Sequence, residues 1–281
     1  MGVLQRRWRT RLMGRRTVTA LVLLVPVVLA VLFGGILYFL VIAFFLGLSA
    51  LEYIQMFRAA KYEPSLLLVV GGTLAILAGR AFVPEWTASI FTVLILLAMS
   101  IHLFTYERGR DQAALDFLIT VGGFTYLGWI GSYLFDLRTL PYGGWWVMFA
   151  LPIVWIADSG AYAIGAKYGR HKMMTRLSPK KSWEGYWAGV FAGTVYGAFF
   201  AFAYSTFGPL HVSIWQGMEF GFVLSTVTTL GDLGESLFKR FGSEKDSGNL
   251  FPGHGGAFDR IDSLIWAAVI GFYWIRFFII K

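Results

Sequence analysis

The stretch "TVLILLAMSIHLF", residues 92–104, is apolar on every face, with Thr92, Ser100 and His102 its only polar side chains. A strand of an outer-membrane barrel alternates polar and apolar positions, and a soluble amphipathic helix keeps a polar stripe; this segment does neither. Working outward, runs of about 18 or more mostly apolar residues, long enough to cross a bilayer as helices, recur over 17–34, 36–56, 65–83, 88–105, 114–134, 144–163, 187–205, 213–231 and 263–280. The 281 residues are 57% hydrophobic and only 14% charged, with a mean hydropathy of +0.64. No soluble domain has that balance. The expectation is an all-α, polytopic integral membrane protein with about nine transmembrane helices.

The first apolar run follows a basic arm, the pattern of a signal peptide, but it is long for one and leads almost directly into a second span, so the first helix is expected to be retained. The chain has no cysteine, which excludes disulfides and thiol catalysis and does not settle the compartment. With the N-terminus in the cytoplasm, the cytoplasmic side collects six Lys or Arg in the arm, Arg58 and Lys61, Arg108 and Arg110, six in 164–186 and four in 232–262. Arg80, Arg138, Arg276 and Lys281 fall outside. This 20-to-4 split of the 24 basic residues obeys the positive-inside rule. The expected location is a cell membrane, with the N-terminus and the polar loops cytoplasmic and the C-terminus outside. The net charge of +8 is then a basic face against anionic lipid, and nucleic acid is not an expected partner.

Residues 1–150 are poor in chemistry. Glu52, Glu63, Glu85, Glu107, Asp111, Asp116 and Asp136 lie near span ends or in short loops, where solvated or snorkelling charges are ordinary. This half is expected to be scaffold and lipid cavity within one membrane domain of 1–281; residues 151–263 are expected to carry the chemistry and 263–280 the last helix. In "WIADSGAYAIG", residues 155–165, Asp158 sits inside an apolar run, either bonded to a neighbouring helix or part of a site. Small neighbours allow close approach by a helix or a substrate. In "SPKKSWEG", residues 178–185, Lys180 and Lys181 read either as positive-inside anchors or as partners of a lipid phosphate. Asp232 and Glu235, three apart on a helix, can share a divalent cation. In "KDSGNLFPGHGGAFDRIDS", residues 245–263, four glycines allow backbone N–H groups to converge on an anion. His254 adds a donor, and Asp259 and Asp262 would share one helical face. An Asp there is also a favourable helix cap. Acids beside bases beside a glycine loop suit a polyphosphate with Mg2+; neither a Walker A loop nor zinc spacing is present.

The run "SLFKRFGSEKDSGNLFPGHGGAFDRIDS", residues 236–263, closely resembles the C-terminal signature of phosphatidate cytidylyltransferases. The resemblance rests on Ser236, Lys239, Arg240, Lys245, Asp246, Pro252, His254, Gly255, Gly256, Asp259, Arg260 and Asp262, with Ala257 where the family has a larger apolar residue. "SPKKSWEG" is similar to a second family motif, Ser182 standing for its Thr, and "ADSGAYAIG" also resembles the family. The specific resemblance spans about 151–263.

The resemblance implies transfer of a cytidylyl group from CTP to phosphatidate, giving CDP-diacylglycerol and pyrophosphate in phospholipid biosynthesis, with Mg2+ and room for a second cation. It points to Asp232 and Asp259 as metal ligands and, with Lys239, Arg260 and Asp262, as the catalytic set. Lys239, Arg240, Lys245, Asp246, His254, Gly255 and Gly256 are expected to hold CTP phosphates. Ser178, Lys180, Lys181, Glu184 and Asp158 are expected around the lipid phosphate. A phosphate monoester is largely dianionic at neutral pH, so the nucleophile needs no general base. CTP, phosphatidate and the bilayer are the expected partners, and a homodimer is allowed for. Two rivals stand beside this reading: a CTP-dependent polyprenol kinase and a cation-coupled transporter using Asp158 and Asp232.

Overall fold

The structure, a computed structural model, describes residues 24–242, 247–248 and 255–280. Its helices are α1 Leu24–Phe33, α2 Gly35–Ala59, α3 Gly72–Phe82, α4 Thr87–Glu107, α5 Ala113–Gly123, α6 Tyr133–Thr139, α7 Gly143–Tyr168, α8 Trp183–Phe207, α9 Ile214–Val227, α10 Thr229–Phe241 and α11 Phe258–Phe278. Gly34 and Gly35 separate α1 from α2 with φ of 66° and 55°, a left-handed turn that glycine makes without penalty. The protein is all-α and multi-pass. Among the described residues, six helical segments are long and apolar enough to cross a membrane, with Leu24–Phe33 and Leu67–Phe82 shorter apolar helices. The window at 213–231 is not one span: α9 ends at Val227 and α10, with a polar face, begins at Thr229.

The chain forms two compact units, Met1–Trp129 with Phe241–Arg260, and Ile130–Arg240 with Ile261–Lys281. Residues 241–260 fall in the same unit as the apolar N-terminal part. In the first unit, Leu68, Ile76, Leu94, Ala98 and Phe124 form a buried cluster. The Phe241 ring lies 5.3 Å from that of Phe57 on α2 and 5.4 Å from that of Tyr62 just after it. Two acids read as solvated are in fact buried, Glu52 at 6% exposure and Asp116 at 1%. Asp116 accepts from Arg110 Nε at 2.8 Å and from the Glu63 N–H at 2.7 Å. These bonds offset the cost of taking a carboxylate out of water.

In the second unit α7, α8 and α9 pack through small residues. Gly185, Gly189, Gly193 and Gly197 recur every fourth position along α8, one stripe of a helix. A Cβ on Gly189 would lie 2.6 Å from the Ala157 carbonyl oxygen, so only glycine permits that approach. Pro152 lies inside α7 and has no N–H for the carbonyl of Met148 four residues back. The hydroxyls of Tyr196 and Tyr204 on α8 reach that carbonyl instead, at 3.3 and 3.5 Å. An antiparallel hairpin of β1 Lys172–Met174 and β2 Ser178–Ser182 follows α7, the one β-sheet among the described residues. Its polar, short strands lie outside the apolar runs, where no helical period was available to read.

Candidate active site

The polar face of α10 and the start of α11 bring three carboxylates together in the second unit. Ligand oxygens of Asp232, Glu235 and Asp262 all lie within 4.8 Å of one another. Like charges this close repel, and a set made only of oxygens suits a hard divalent cation. Two lysines border them. Lys181 Nζ is 2.6 Å from Asp232 Oδ2, and Lys239 Nζ is 2.7 Å from Glu235 Oε2. Ser236 Oγ donates to Asp232 Oδ1 at 3.4 Å, and Arg240 Nε to the Leu177 carbonyl, also at 3.4 Å.

A cavity of about 470 Å³ lies in the same unit, with Asp158, Lys172, Lys180, Lys181, Ser182 and Thr229 as its main polar lining. The glycines and alanines of α7 and α8 that line it keep side chains out of the space. The hairpin makes the two adjacent lysines unequal, because successive side chains on a strand point to opposite faces. Lys180 is exposed, whereas Lys181 is turned in toward Asp232. Lys181 therefore joins the cavity to the carboxylate cluster. Ser178 and Glu184 do not line the cavity. The Glu184 carboxylate instead accepts from the N–H groups of Arg170 and His171 at 3.2 and 3.1 Å and meets His171 Nδ1 at 2.6 Å, pinning the turn before the hairpin to the start of α8. Ser182 caps α8 by accepting from the Gly185 N–H at 3.3 Å.

Asp259 belongs to the first unit. Its Oδ2 accepts from the Ser247 N–H at 3.1 Å, Ser247 Oγ at 2.9 Å and the Gly256 N–H at 3.0 Å. Gly255 has φ of 76°, and a Cβ there would lie 2.5 Å from the same oxygen. The N–H groups of Ala257 and Phe258 donate to Glu52. In this structure the N–H groups of Gly256, Ala257 and Phe258 thus meet carboxylates of the protein. Asp259 and Asp262, expected as a pair on one helical face, are partnered separately: Asp262 goes with Asp232 and Glu235. Arg260 is exposed. Lys245, Asp246 and His254 lie outside the described residues.

The sequence reading did not single out Lys172 and Thr229, which line the cavity, or foresee the burial of Glu52. Glu52 carried the same signal used for Asp158, an ionisable group flanked on both sides by apolar residues.

The second unit thus gathers carboxylates and lysines beside a cavity in an apolar helical scaffold, an arrangement that suits a membrane enzyme. Comparison with known proteins makes this specific. The model of the cytidylyltransferase family matches residues 14–278, and the chain belongs to that family. It is 32% identical over 253 residues to a phosphatidate cytidylyltransferase of Staphylococcus epidermidis, covering 89% of this chain and 94% of that protein. It is also 32% identical over 255 residues to one of Staphylococcus aureus, with the same coverage. A third, of Staphylococcus saprophyticus, is 30% identical over 255 residues, again covering 89% and 94%.

Proposed function

We propose that the protein is a nucleotidyltransferase that transfers the cytidylyl group of CTP to phosphatidate, yielding CDP-diacylglycerol and pyrophosphate. The observation that carries this reading is Lys181, which lines the cavity while its ammonium lies 2.6 Å from Asp232 of the carboxylate cluster. An anionic lipid headgroup in the cavity would meet the bases next to the acids.

A phosphate oxygen of the lipid attacks the α-phosphorus of CTP as the bond to the β-phosphate breaks, and pyrophosphate leaves. Two polyanions must be brought together and the developing charge met, so the protein's task is positioning and electrostatics. Lys180, Lys181 and Lys172 are assigned to the lipid phosphate. Lys239, Arg240 and Arg260 are assigned to CTP phosphates, with Lys245 and His254 from the resemblance. Asp232 is a proposed ligand of Mg2+, with Asp262, whose carboxylate lies beside it, and Asp259 is added from the resemblance. When bound, Mg2+ neutralises phosphate charge. Incubation with CTP labelled at the α-phosphorus is expected to move label into lipid. Label entering lipid only from γ-labelled CTP would identify a kinase instead.

The enzyme is assigned to the cytoplasmic membrane, with hairpin and α10 facing the cytoplasm, on the charge asymmetry and the water-soluble nature of CTP. Thr175 is exposed in the hairpin, so Thr175→Cys in this cysteine-free chain is expected to react with a membrane-impermeant maleimide in inside-out vesicles and not in intact cells. Labelling in intact cells alone would reverse the orientation.

A further inference from the structure

We infer that Glu52 is a positioning residue for the transfer reaction: its buried carboxylate ties the start of α11 to Ser247 and thereby fixes Asp259. The inference rests on the reading of Asp259 as part of the reacting site. Glu52 lies toward the C-terminal end of α2, is 6% exposed, and its carboxylate accepts from groups distant in sequence. A carboxylate held out of water within an apolar helix costs several kcal/mol unless its lone pairs are met. Here they are met by groups of a single loop. Glu52 Oε1 accepts from the Ala257 N–H at 2.8 Å, and Oε2 accepts from the Phe258 N–H at 2.8 Å and Ser247 Oγ at 2.9 Å. The first N–H groups of a helix have no partner within it, so Glu52 caps α11 from another helix.

The cap is coupled to Asp259. Ser247 Oγ stands 2.9 Å from Glu52 Oε2 and 2.9 Å from Asp259 Oδ2, and its one hydroxyl proton serves either carboxylate. The Gly256 N–H, one residue before the N–H groups held by Glu52, is bonded to Asp259. The glycines complete the fit. A Cβ at Gly256 would collide with the Glu52 carboxylate and the Ser247 hydroxyl, and one at Gly248 would lie 2.8 Å from Glu52 Oε1. Ser247, Gly248 and residues 256–258 therefore pack around a carboxylate of α2, and the orientation of Asp259 follows from that packing. Glu52→Gln puts an amide N–H₂ where the site presents donors from both sides, which displaces the loop without changing side-chain size.

The test uses the full-length enzyme in detergent, with kcat and KM measured per folded protein and the melting temperature followed in parallel. Glu52→Gln is expected to lower kcat about 30-fold, within the loss that a misplacement of about 1 Å brings, while KM for phosphatidate stays within about twofold. The double variant Glu52→Gln/Asp259→Asn is expected to match Asp259→Asn alone within about threefold, because residues acting through one another are not additive. A residue that only supports the fold would lower the folded fraction and leave kcat per folded enzyme intact. If Glu52→Gln keeps more than about a third of kcat while Asp259→Asn is inactive, the inference is overturned and the reading of Asp259 stands. If Asp259→Asn is itself active, both fall. Additive losses in the double variant also overturn the inference. Should Glu52→Gln fail to fold, Ser247→Ala decides: a roughly tenfold loss of kcat, on the scale of one hydrogen bond to a charged group, supports the coupling, and a wild-type kcat refutes it.

Discussion

Asp232→Asn is expected to lower kcat by roughly 10³-fold, the upper end for removing one preorganised electrostatic element, with only a small change in melting temperature. The side chains of Asp232 and its partner Lys181 are 37% and 24% exposed, and a partly exposed ion pair is worth about 1 kcal/mol or less. Loss of the pair therefore leaves the fold nearly intact. Loss of the charge is expected to impair the chemistry, because Asp232 is both a proposed Mg2+ ligand and the group that pairs with the lysine of the cavity. The neighbouring pair provides the contrast. Glu235 and Lys239 are 1% and 10% exposed, and breaking a buried pair costs about 3–5 kcal/mol, so Glu235→Gln is expected to lose folded protein as well as turnover. Scanning fluorimetry alongside turnover separates the two effects. An Asp232→Asn enzyme retaining more than about a tenth of wild-type kcat at saturating Mg2+ would remove Asp232 from the reacting site.

The second large effect is expected at Asp259. Its bonds to the Ser247 N–H and hydroxyl and the Gly256 N–H all end on Oδ2, so the oxygen of an asparagine in the same rotamer can accept all three. Asp259→Asn should therefore keep the loop closed and the melting temperature close to that of the wild type. If holding the loop were the whole role of Asp259, activity would survive too. A metal ligand behaves otherwise: with the charge gone, turnover is expected to fall at least about 100-fold. Steady-state rates over a Mg2+ titration check this. Turnover above about a tenth of wild type at saturating Mg2+ would leave Asp259 as a loop anchor and a helix cap.

How far the site was legible can be followed residue by residue. Asp232, Glu235, Lys239 and Arg240 occupy one short amphipathic helix, so their grouping is visible in spacing alone. Lys181 and Asp232 are not neighbours in the chain, and nothing in "SPKKSWEG" tells which of two adjacent lysines turns inward; the strand pairing of Lys172 with Ser182 decides that. Glu184 was placed around the lipid phosphate by the resemblance; the pairing of its carboxylate with two backbone N–H groups and an imidazole is not visible in the sequence. The glycines at 255 and 256 were read as a cradle for a ligand. What the sequence did not show is that Asp259 and Glu52 occupy the space a side chain would need there.

The sequence by itself determined the solvent, the class of fold and the family. Hydropathy is summed along consecutive residues, and the signature "GHGGAFDRIDS" at 253–263 is contiguous, so both are complete before the chain folds. Tertiary structure alone decided the partners. Glu52 and the N–H of Ala257 are 205 residues apart, and the cost of a buried carboxylate is felt only once the chain has brought donors to it or failed to do so. The small-residue stripe of α8 stands between these cases. Its four-residue spacing is written in the sequence, but which helix approaches it, and whether the space left beside it holds a side chain or remains a cavity, is settled only by packing.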